Sequence, residues 1–143
     1  PNGLVQLLST KGRLLRTWSV VDRIVTARLR ADTLAVQHGK TVDTYSATTG
    51  TKIQTRSLLT DGGPRPFLLD VQGDLVAYAT GGAIHLLRLS DGRDRALRLP
   101  GAAPSLDSHL GPAGLFVSWN KMYDRRPGRV AFAPMQAVRR AVG

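Results

Sequence analysis

The chain has 143 residues, 42% of them hydrophobic, so it can build the core of one domain but is short for a closed ring of β-sheets. Sixteen Arg and four Lys against ten Asp, with no Glu, give a formal net charge of +10, which favours anionic partners, although the Arg residues are scattered along the whole sequence. The absence of Cys excludes disulfides and thiolate metal sites, and no stretch approaches the ~18 uninterrupted apolar residues of a membrane span.

The first twenty residues predict half of a repeating unit. Their central segment, LVQLLSTKGRLLRTW, indicates two short strands around a turn that contains Gly12. Leu4 aligns with Val42, and Gly12 aligns with Gly50, both at an offset of 38 residues. We therefore interpret residues 1–20 as the last two strands of a unit that is complete further along the chain.

Two complete copies of that unit follow, over residues 21–60 and 61–101. Residues 32–52 and 74–94 align without a gap at an offset of 42 residues. In each copy an apolar strand, a Gly turn and a returning strand predict a hairpin, and a second Gly turn leads to an outer strand. An apolar segment upstream of each hairpin, at 24–27 and 67–71, supplies a fourth strand.

Residues 102–143 predict an incomplete last repeat. Strands are expected at 106–109, 115–119 and 129–132, and the segment after Pro134 favours a turn or two of helix. Residues 120–128 replace a short hairpin turn with a longer loop, which is the largest departure from the repeat.

These repeats predict an all-β fold in one domain. A four-stranded unit of about 42 residues cannot cover both of its faces, so neighbouring units must stack. Radial stacking gives a β-propeller, here a partial one built of four-stranded antiparallel blades.

The blade pattern resembles known propellers. A Gly turn, an apolar strand that ends in Tyr45, and then an Ala-Thr-Thr-Gly segment are similar to the blades of bacterial WD40-like, YVTN-like and PQQ-type propellers. The resemblance implies a binding or scaffolding role and is compatible with a cell-envelope or secreted location. Quinoprotein blades carry a Trp after the Thr-Gly pair, whereas here only Trp18 fits that position, and Arg56 and Arg98 stand in the later repeats. We therefore expect no quinone cofactor.

Propellers of this kind close with four to eight blades. Half a blade, two whole blades and most of another are fewer than closure requires. We expect the remaining blades of a larger propeller, or a second copy of the chain, to complete the ring, since an exposed strand edge is a liability that natural proteins avoid.

The sequence offers no catalytic motif. His38, His85 and His109 have no Cys or Glu nearby to complete a metal site, so we predict no metal. No serine has a nucleophile-elbow pattern, and no phosphate-binding glycine loop occurs. We expect the carboxylates of Asp43, Asp70 and Asp74 to cap turns or accept backbone hydrogen bonds.

The expanded loop at 120–128 is the predicted binding surface. It combines an aromatic side chain, a flexible apolar one and several cations, which are the side chains that anchor interfaces. The predicted binding residues are Lys121, Met122, Tyr123, Asp124, Arg125 and Arg126.

The sequence therefore favours a non-catalytic protein-interaction or ligand-sensing module, which binds a protein or a small ligand through its blade loops. Two alternatives stay open. One is a propeller enzyme whose catalytic residues lie on blades outside this chain. The other, less favoured, is a basic module that binds nucleic acid or an anionic surface.

Overall fold

The computed structural model describes residues 2–60, 65–97, 105–120 and 129–143. The described chain forms four antiparallel sheets and one short helix, which confirms the predicted all-β fold class. Sheet 1 contains β1 (Gly3–Leu8) and β2 (Leu14–Val20). Sheet 2 contains β3 (Ile24–Arg30), β4 (Thr33–His38), β5 (Thr41–Ser46) and β6 (Lys52–Ser57). Sheet 3 contains β7 (Phe67–Gln72), β8 (Leu75–Thr80), β9 (Ala83–Arg88) and β10 (Asp94–Leu97). Sheet 4 contains β11 (Ser105–Gly111), β12 (Gly114–Asn120) and β13 (Arg129–Pro134), and the helix α1 (Met135–Ala141) follows it.

Within each sheet the strands lie side by side in chain order, joined by short turns. The first strands of sheets 2, 3 and 4 approach one another, because β7 contacts β3 on one side and β11 on the other. We call β3, β7 and β11 the inner strands. The later strands of each sheet extend away from this shared edge, as in a radial arrangement of sheets.

Sheets 2 and 3 repeat the same backbone at the spacing expected from the sequence. The bounds of β8 and β9 lie 42 residues after those of β4 and β5 at both ends. The turn glycines match as well: Gly50 and Gly92 have φ of +80° and +76°, a left-handed conformation that a side chain disfavours. The stretches at 32–52 and 74–94 therefore form the same local structure twice.

Three apolar cores separate the sheets, and sheet 3 is buried on both faces. Trp18 and Val20 of sheet 1 pack against sheet 2. In β7, Leu68 packs into the core shared with sheet 2, whereas the adjacent Leu69 packs into the core shared with sheet 4. Successive side chains of a strand point to opposite faces, which places Leu68 and Leu69 in different cores; the pairing of β7 with β8 also shifts register between Leu68 and Asp70.

Helix α1 follows β13 directly, at the place where sheets 2 and 3 have a fourth strand. Its Val138 and the following Val142 pack into the core between sheets 3 and 4. The carbonyl oxygen of Gly143 accepts hydrogen bonds from Nη1 of Arg88 at 2.7 Å and from Nη1 of Arg93 at 3.0 Å. The helix expected after Pro134 is thus present and fastens sheet 4 to sheet 3.

The two end sheets each leave apolar side chains exposed. These are Leu4, Leu8 and Leu15 in sheet 1, and Phe116, Val130 and Phe132 in sheet 4. The predicted divisions between repeats, at 20/21, 60/61 and 101/102, stay a prediction. In the described part of the chain, no helix is long and apolar enough to cross a membrane.

Candidate functional site

The binding residues predicted from the sequence, Lys121, Met122, Tyr123, Asp124, Arg125 and Arg126, all lie outside the described residues. The described part of the chain contains another polar site, formed where the three inner strands meet. This site is centred on Asp70 of β7, whose side chain is only 2% exposed.

Asp70 joins all three inner strands through its two carboxylate oxygens. Oδ1 accepts the backbone N–H of Val71 at 2.9 Å, and Oδ2 accepts the backbone N–H of Leu110 in β11 at 2.8 Å. Arg30 of β3 donates to both oxygens, from Nε at 3.1 Å and from Nη2 at 3.2 Å. A buried carboxylate is stable only with such partners, so Asp70 fixes the relative positions of sheets 2, 3 and 4.

His109 of β11 completes the cluster on its exposed side. Its Nδ1 lies 2.8 Å from Nη2 of Arg30 and 3.3 Å from Oδ2 of Asp70. The side chains of Arg30 and His109 are 42% and 54% exposed, so both present polar groups to solvent from a rigid base.

A second arginine of β3 lies beside this cluster. Arg28 donates from Nε to the carbonyl oxygen of Leu69 at 2.7 Å, and from Nη1 to Thr26 and to the carbonyl of Ala27. Its guanidinium group therefore bridges β3 to β7. Arg28 and Arg30 lie two residues apart on one strand, so both project from the same face.

These residues line a cavity of about 300 Å³, which we call the inner-strand cleft. Ser108 is only 8% exposed, and its Oγ has no hydrogen-bond partner among the residues that the structure describes. Ser108 pairs with Val117, which packs into the core between sheets 3 and 4, so the Ser108 side chain lies on the buried face of β11, opposite to that of His109. The lining residues are Arg28, Arg30, Leu69, Asp70, Asp107, Ser108, His109, Phe116, Val117, Ser118 and Val130.

The sequence contains a signal for this cleft. Thr26, Arg28 and Arg30 alternate with apolar residues along β3, and such a pattern of period two predicts one polar strand face. Which face lies toward the neighbouring sheets could not be read from the alternation alone. The link from Arg30 to His109, 79 residues further along, depends on sheet stacking.

The other two histidines pair with carboxylates inside single sheets. Nε2 of His38 lies 3.0 Å from Oδ2 of Asp43, and Nδ1 of His85 lies 2.7 Å from Oδ1 of Asp94. Across the described residues, no three His, Cys, Asp or Glu side chains assemble a metal-binding group.

The carboxylates expected to serve the backbone behave in two ways. Asp74 accepts the backbone N–H of Ser90 at 2.8 Å, as Asp32 accepts that of Thr48 at 2.6 Å in the preceding sheet. These contacts and those of Asp70 match the expected turn and backbone roles. Asp43 differs, because its partners are side chains rather than backbone groups.

Trp18 and Arg56, which the comparison with quinoprotein blades singled out, each donate a hydrogen bond to the following sheet. Trp18 of β2 donates from Nε1 to the carbonyl oxygen of Gly50 in sheet 2 at 3.1 Å. Arg56 of β6, aligned with Trp18 at the 38-residue offset, donates from Nε to the carbonyl oxygen of Leu89 in sheet 3 at 2.6 Å. Arg thus replaces Trp while keeping a hydrogen bond from one sheet to the next.

No protein-family model matches the chain, and no curated protein matches it either. Among solved structures, the chain is similar to BamB from Moraxella catarrhalis, with a TM-score of 0.57 and 14% identity over 82% of this chain and 38% of BamB. It is also similar to Hsv2 from Kluyveromyces lactis, with a TM-score of 0.46 and 11% identity over 82% of this chain and 40% of Hsv2.

The likeness to BamB, a PQQ-like propeller, shows the fold: the chain is a partial β-propeller, as predicted. It spans well under half the length of either neighbour.

Proposed function

We propose that this chain is a non-catalytic binding module of a β-propeller and that it holds a protein or ligand at the inner-strand cleft. The predicted loop at 120–128 is proposed as an additional contact. The observation that carries the proposal is the cleft itself: Arg28, Arg30 and His109 line one cavity, and the buried Asp70 holds Arg30 and His109 in place.

The cleft is suited to binding because its walls are held in place before any ligand arrives. Asp70 connects three strands from three sheets, and Arg28 adds a hydrogen bond between β3 and β7. Side chains fixed in this way lose little conformational entropy on binding, so more of the interaction energy contributes to affinity.

The hydrogen bonds of the arginines favour a local binding site over a module that binds anionic surfaces in general. Several guanidinium groups donate to carbonyl oxygens of the protein itself and so hold sheets and turns together. These residues are Arg16, Arg28, Arg56, Arg88 and Arg93. These five side chains are therefore held in fixed positions by structural hydrogen bonds, although a neutral carbonyl acceptor leaves their positive charge in place.

A selection from displayed random peptides tests the proposal. We expect enriched peptides to bind the wild-type chain and an Arg13→Met control, but to lose most of their binding to Arg28→Met and His109→Ala, because both side chains line the cleft. Arg13 is exposed on the sheet 1 hairpin and lies outside the cleft lining. Near-ultraviolet circular dichroism verifies that each variant is folded. Peptides that bind all four proteins equally, or the enrichment of none, would contradict the proposal.

A further inference from the structure

We propose that the exposed face of sheet 4 packs against a further four-stranded blade, and that this blade carries small side chains where it meets Phe116 and Phe132. The partner is another β-sheet rather than a ligand, so the proposal goes beyond binding at the inner-strand cleft. It follows from the way in which sheets 2 and 3 pack against the sheets that come after them.

One row of cross-strand pairs can be compared in the three later sheets. Residues paired directly across neighbouring strands lie on the same face of a sheet. Ala35 packs into the core between sheets 2 and 3, and Ala77 packs into the core between sheets 3 and 4. The row of sheet 4 therefore lies on the face that a following sheet would meet. We call these the central rows: Arg28, Ala35 and Thr44 in sheet 2, Asp70, Ala77 and Leu86 in sheet 3, and His109, Phe116 and Phe132 in sheet 4.

The central row of sheet 4 is uncovered in the described part of the chain. The second-strand and third-strand residues of the other two rows are at most 1% exposed, whereas Phe116 and Phe132 are 44% and 48% exposed. Val130 on the same face is 73% exposed, while the aligned Val42 and Ile84 are fully buried. Stacked repeats join through apolar faces that are buried at each junction. Sheet 4 thus presents a face of the kind that packs blades together.

The inner-strand residue of each central row indicates that the neighbour on this face has an inner strand of its own. Arg28 donates to the carbonyl oxygen of Leu69 in β7, and Asp70 accepts the backbone N–H of Leu110 in β11. Both side chains thus bond the main chain of the next inner strand. His109 has the same position in sheet 4 and is 54% exposed. An inner strand in a following sheet would give His109 the same kind of partner.

This requirement separates a complete blade from a second copy of the chain. A second copy docked head to tail would present the free face of sheet 1, which carries Leu4 and Leu8. Sheet 1 has two strands among the described residues, and Leu4 aligns with Val42 on the third strand of sheet 2. It offers no inner strand beside His109, and two chains of net charge +10 repel each other. We therefore assign the face to a complete blade.

The side chains of the central rows limit the size of the residues that face them. In both existing interfaces an alanine of the row shares a core with an aromatic residue of the next sheet, Ala35 with Tyr78 and Ala77 with Trp119. Sheet 4 has Phe116 in place of the alanine. Because protein interiors are close-packed, a large side chain on both sides of this interface would clash. The facing blade must therefore be smaller at this level than sheets 3 and 4 are.

A fusion protein with a matched blade tests the proposal. A copy of residues 21–97 is joined after Gly143 through a flexible Gly-Ser linker of about 40 residues, whose average span is about 35 Å. Sheet 2 of the copy has Val36 at the position of Tyr78, and this face packs against Trp18 in the chain itself, so it can accept an aromatic neighbour. Sheet 3 of the copy covers the other face of its sheet 2.

The reactivity of one introduced thiol reports docking, because the chain has no Cys. Ser118 is exposed and lies two residues from Phe116 on the same strand face. We expect Ser118→Cys to react with a maleimide about tenfold or more slowly in the fusion than in the chain alone, because only the undocked fraction reacts. Equal rates in the two proteins would overturn the proposal.

A thiol on sheet 1 provides the matched control. Gln6 is exposed on the free face of sheet 1, so Gln6→Cys should react at the same rate in the fusion and in the chain alone. Slower reaction of Gln6→Cys with an unchanged rate for Ser118→Cys would place the docking surface on sheet 1 and overturn the assignment to sheet 4.

Two compensating substitutions test the size requirement. Val36→Tyr in the appended copy should return the reaction rate of Ser118→Cys to near that of the chain alone, and Phe116→Ala in sheet 4 should restore the protection. Full protection by the Val36→Tyr copy with Phe116 in place would show that the facing side chains need not be small. Near-ultraviolet circular dichroism verifies that each protein is folded.

Sedimentation velocity of the chain alone tests the choice of a blade over a second copy. We expect a monomer, because the free face of sheet 1 offers no inner strand to sheet 4. A dimer that Phe116→Asp dissociates would assign the face of sheet 4 to a second copy and overturn the proposal.

Discussion

Sheets 2 and 3 have the same strand pattern at an offset of 42 residues, yet they differ in the polar groups that they bury. At three aligned positions one sheet carries an acidic side chain and the other a basic one. The aligned pairs are Arg28 with Asp70, Asp43 with His85, and Lys52 with Asp94. The repeat therefore preserves the backbone and the apolar positions, whereas the polar side chains and their contacts differ between the two sheets.

In sheet 2 the acidic group lies on the third strand and its partners surround it. Oδ2 of Asp43 lies 2.8 Å from Nζ of Lys52, and Oδ1 accepts a hydrogen bond from Thr55 at 2.6 Å. Tyr45 donates to the same carboxylate at 3.3 Å. Burial is the main cause that raises the pKa of Tyr45 to about 12, and the charge of Asp43 adds to it.

In sheet 3 the acidic group has moved to the fourth strand. Asp94 of β10 contacts His85 of β9 and accepts a hydrogen bond from the hydroxyl of Tyr78 in β8. The rings of Tyr78 and His85 stack with their centroids 4.9 Å apart. Tyr78 aligns with Val36 of sheet 2. Replacing Tyr78 by the valine of sheet 2 would therefore remove the hydrogen bond to Asp94.

The first prediction concerns the inner strands and has the largest expected effect. Asp70→Ala should lower the free energy of unfolding by about 3 kcal/mol or more, because it leaves the backbone N–H of Leu110 and the guanidinium of Arg30 without their acceptor. Arg28→Ala, at the aligned position of sheet 2, should cost about 1 kcal/mol, because it removes hydrogen bonds from a side chain that reaches solvent. Urea unfolding measures both.

Asp70→Asn provides the control for size and shape. It keeps an acceptor oxygen of nearly the same volume, so it should recover part of the loss seen for Asp70→Ala. If Arg28→Ala lowered the free energy of unfolding as much as Asp70→Ala does, the distinction between a central carboxylate and a bridging cation would be wrong.

The strands were predictable because their signals are local. The turn glycines at 50 and 92 and the alternation of apolar residues are visible within one repeat, and the 42-residue alignment reinforces them. The segment at 120–128 also stands out in the sequence as a departure from the repeat, and the loop expected there stays a prediction because residues 121–128 lie outside the described part of the chain. The strand partners followed from hairpin length, since short turns force antiparallel neighbours.

The polar clusters were not predictable, because their partners come from other strands and other sheets. Asp70 was assigned to backbone contacts from its sequence position, and it makes two of them. Its link to Arg30, 40 residues earlier, requires knowledge of how sheets 2 and 3 stack. The burial of Ser108 has no sequence signal, because the groups around its hydroxyl, which has no hydrogen-bond partner in the described part of the chain, come from other strands.

A second prediction compares the fourth strands of the two sheets. Asp94→Ala should lower the free energy of unfolding by about 2 kcal/mol, because the Asp94 side chain is only 10% exposed and both Tyr78 and His85 lose a partner. Lys52→Ala at the aligned position should cost less than about 1 kcal/mol, because the lysine side chain is 47% exposed. Arg95→Ala, an exposed neighbour on β10, serves as the control and should change stability by less than about 0.5 kcal/mol. An equal decrease in the free energy of unfolding for Asp94→Ala and Lys52→Ala would remove the distinction between the polar contacts of sheet 3 and those of sheet 2.

The last and smallest effect is the acid sensitivity of sheet 2. Burial alone raises the pKa of Asp43, but hydrogen bonds from Lys52 and Thr55 and the nearby charges of Lys52 and His38 outweigh it, so the pKa lies below the usual 3.8. A carboxyl whose pKa is lowered on folding stabilises the native state above its unfolded pKa, and this contribution is lost as the pH falls through its folded pKa.

Asp43→Asn removes this titration while keeping the side-chain shape. The stability difference between the wild-type chain and Asp43→Asn should therefore be constant near neutral pH and shrink as the pH falls below about 5. Asp32 also has a lowered pKa, because Thr48 and Ser46 donate hydrogen bonds to it, but it is common to both proteins and cancels in the difference. Urea unfolding at a series of pH values measures the effect. A difference that stayed constant down to pH values below 3.8 would show that Lys52 and Thr55 do not hold the Asp43 carboxylate as the geometry of sheet 2 indicates.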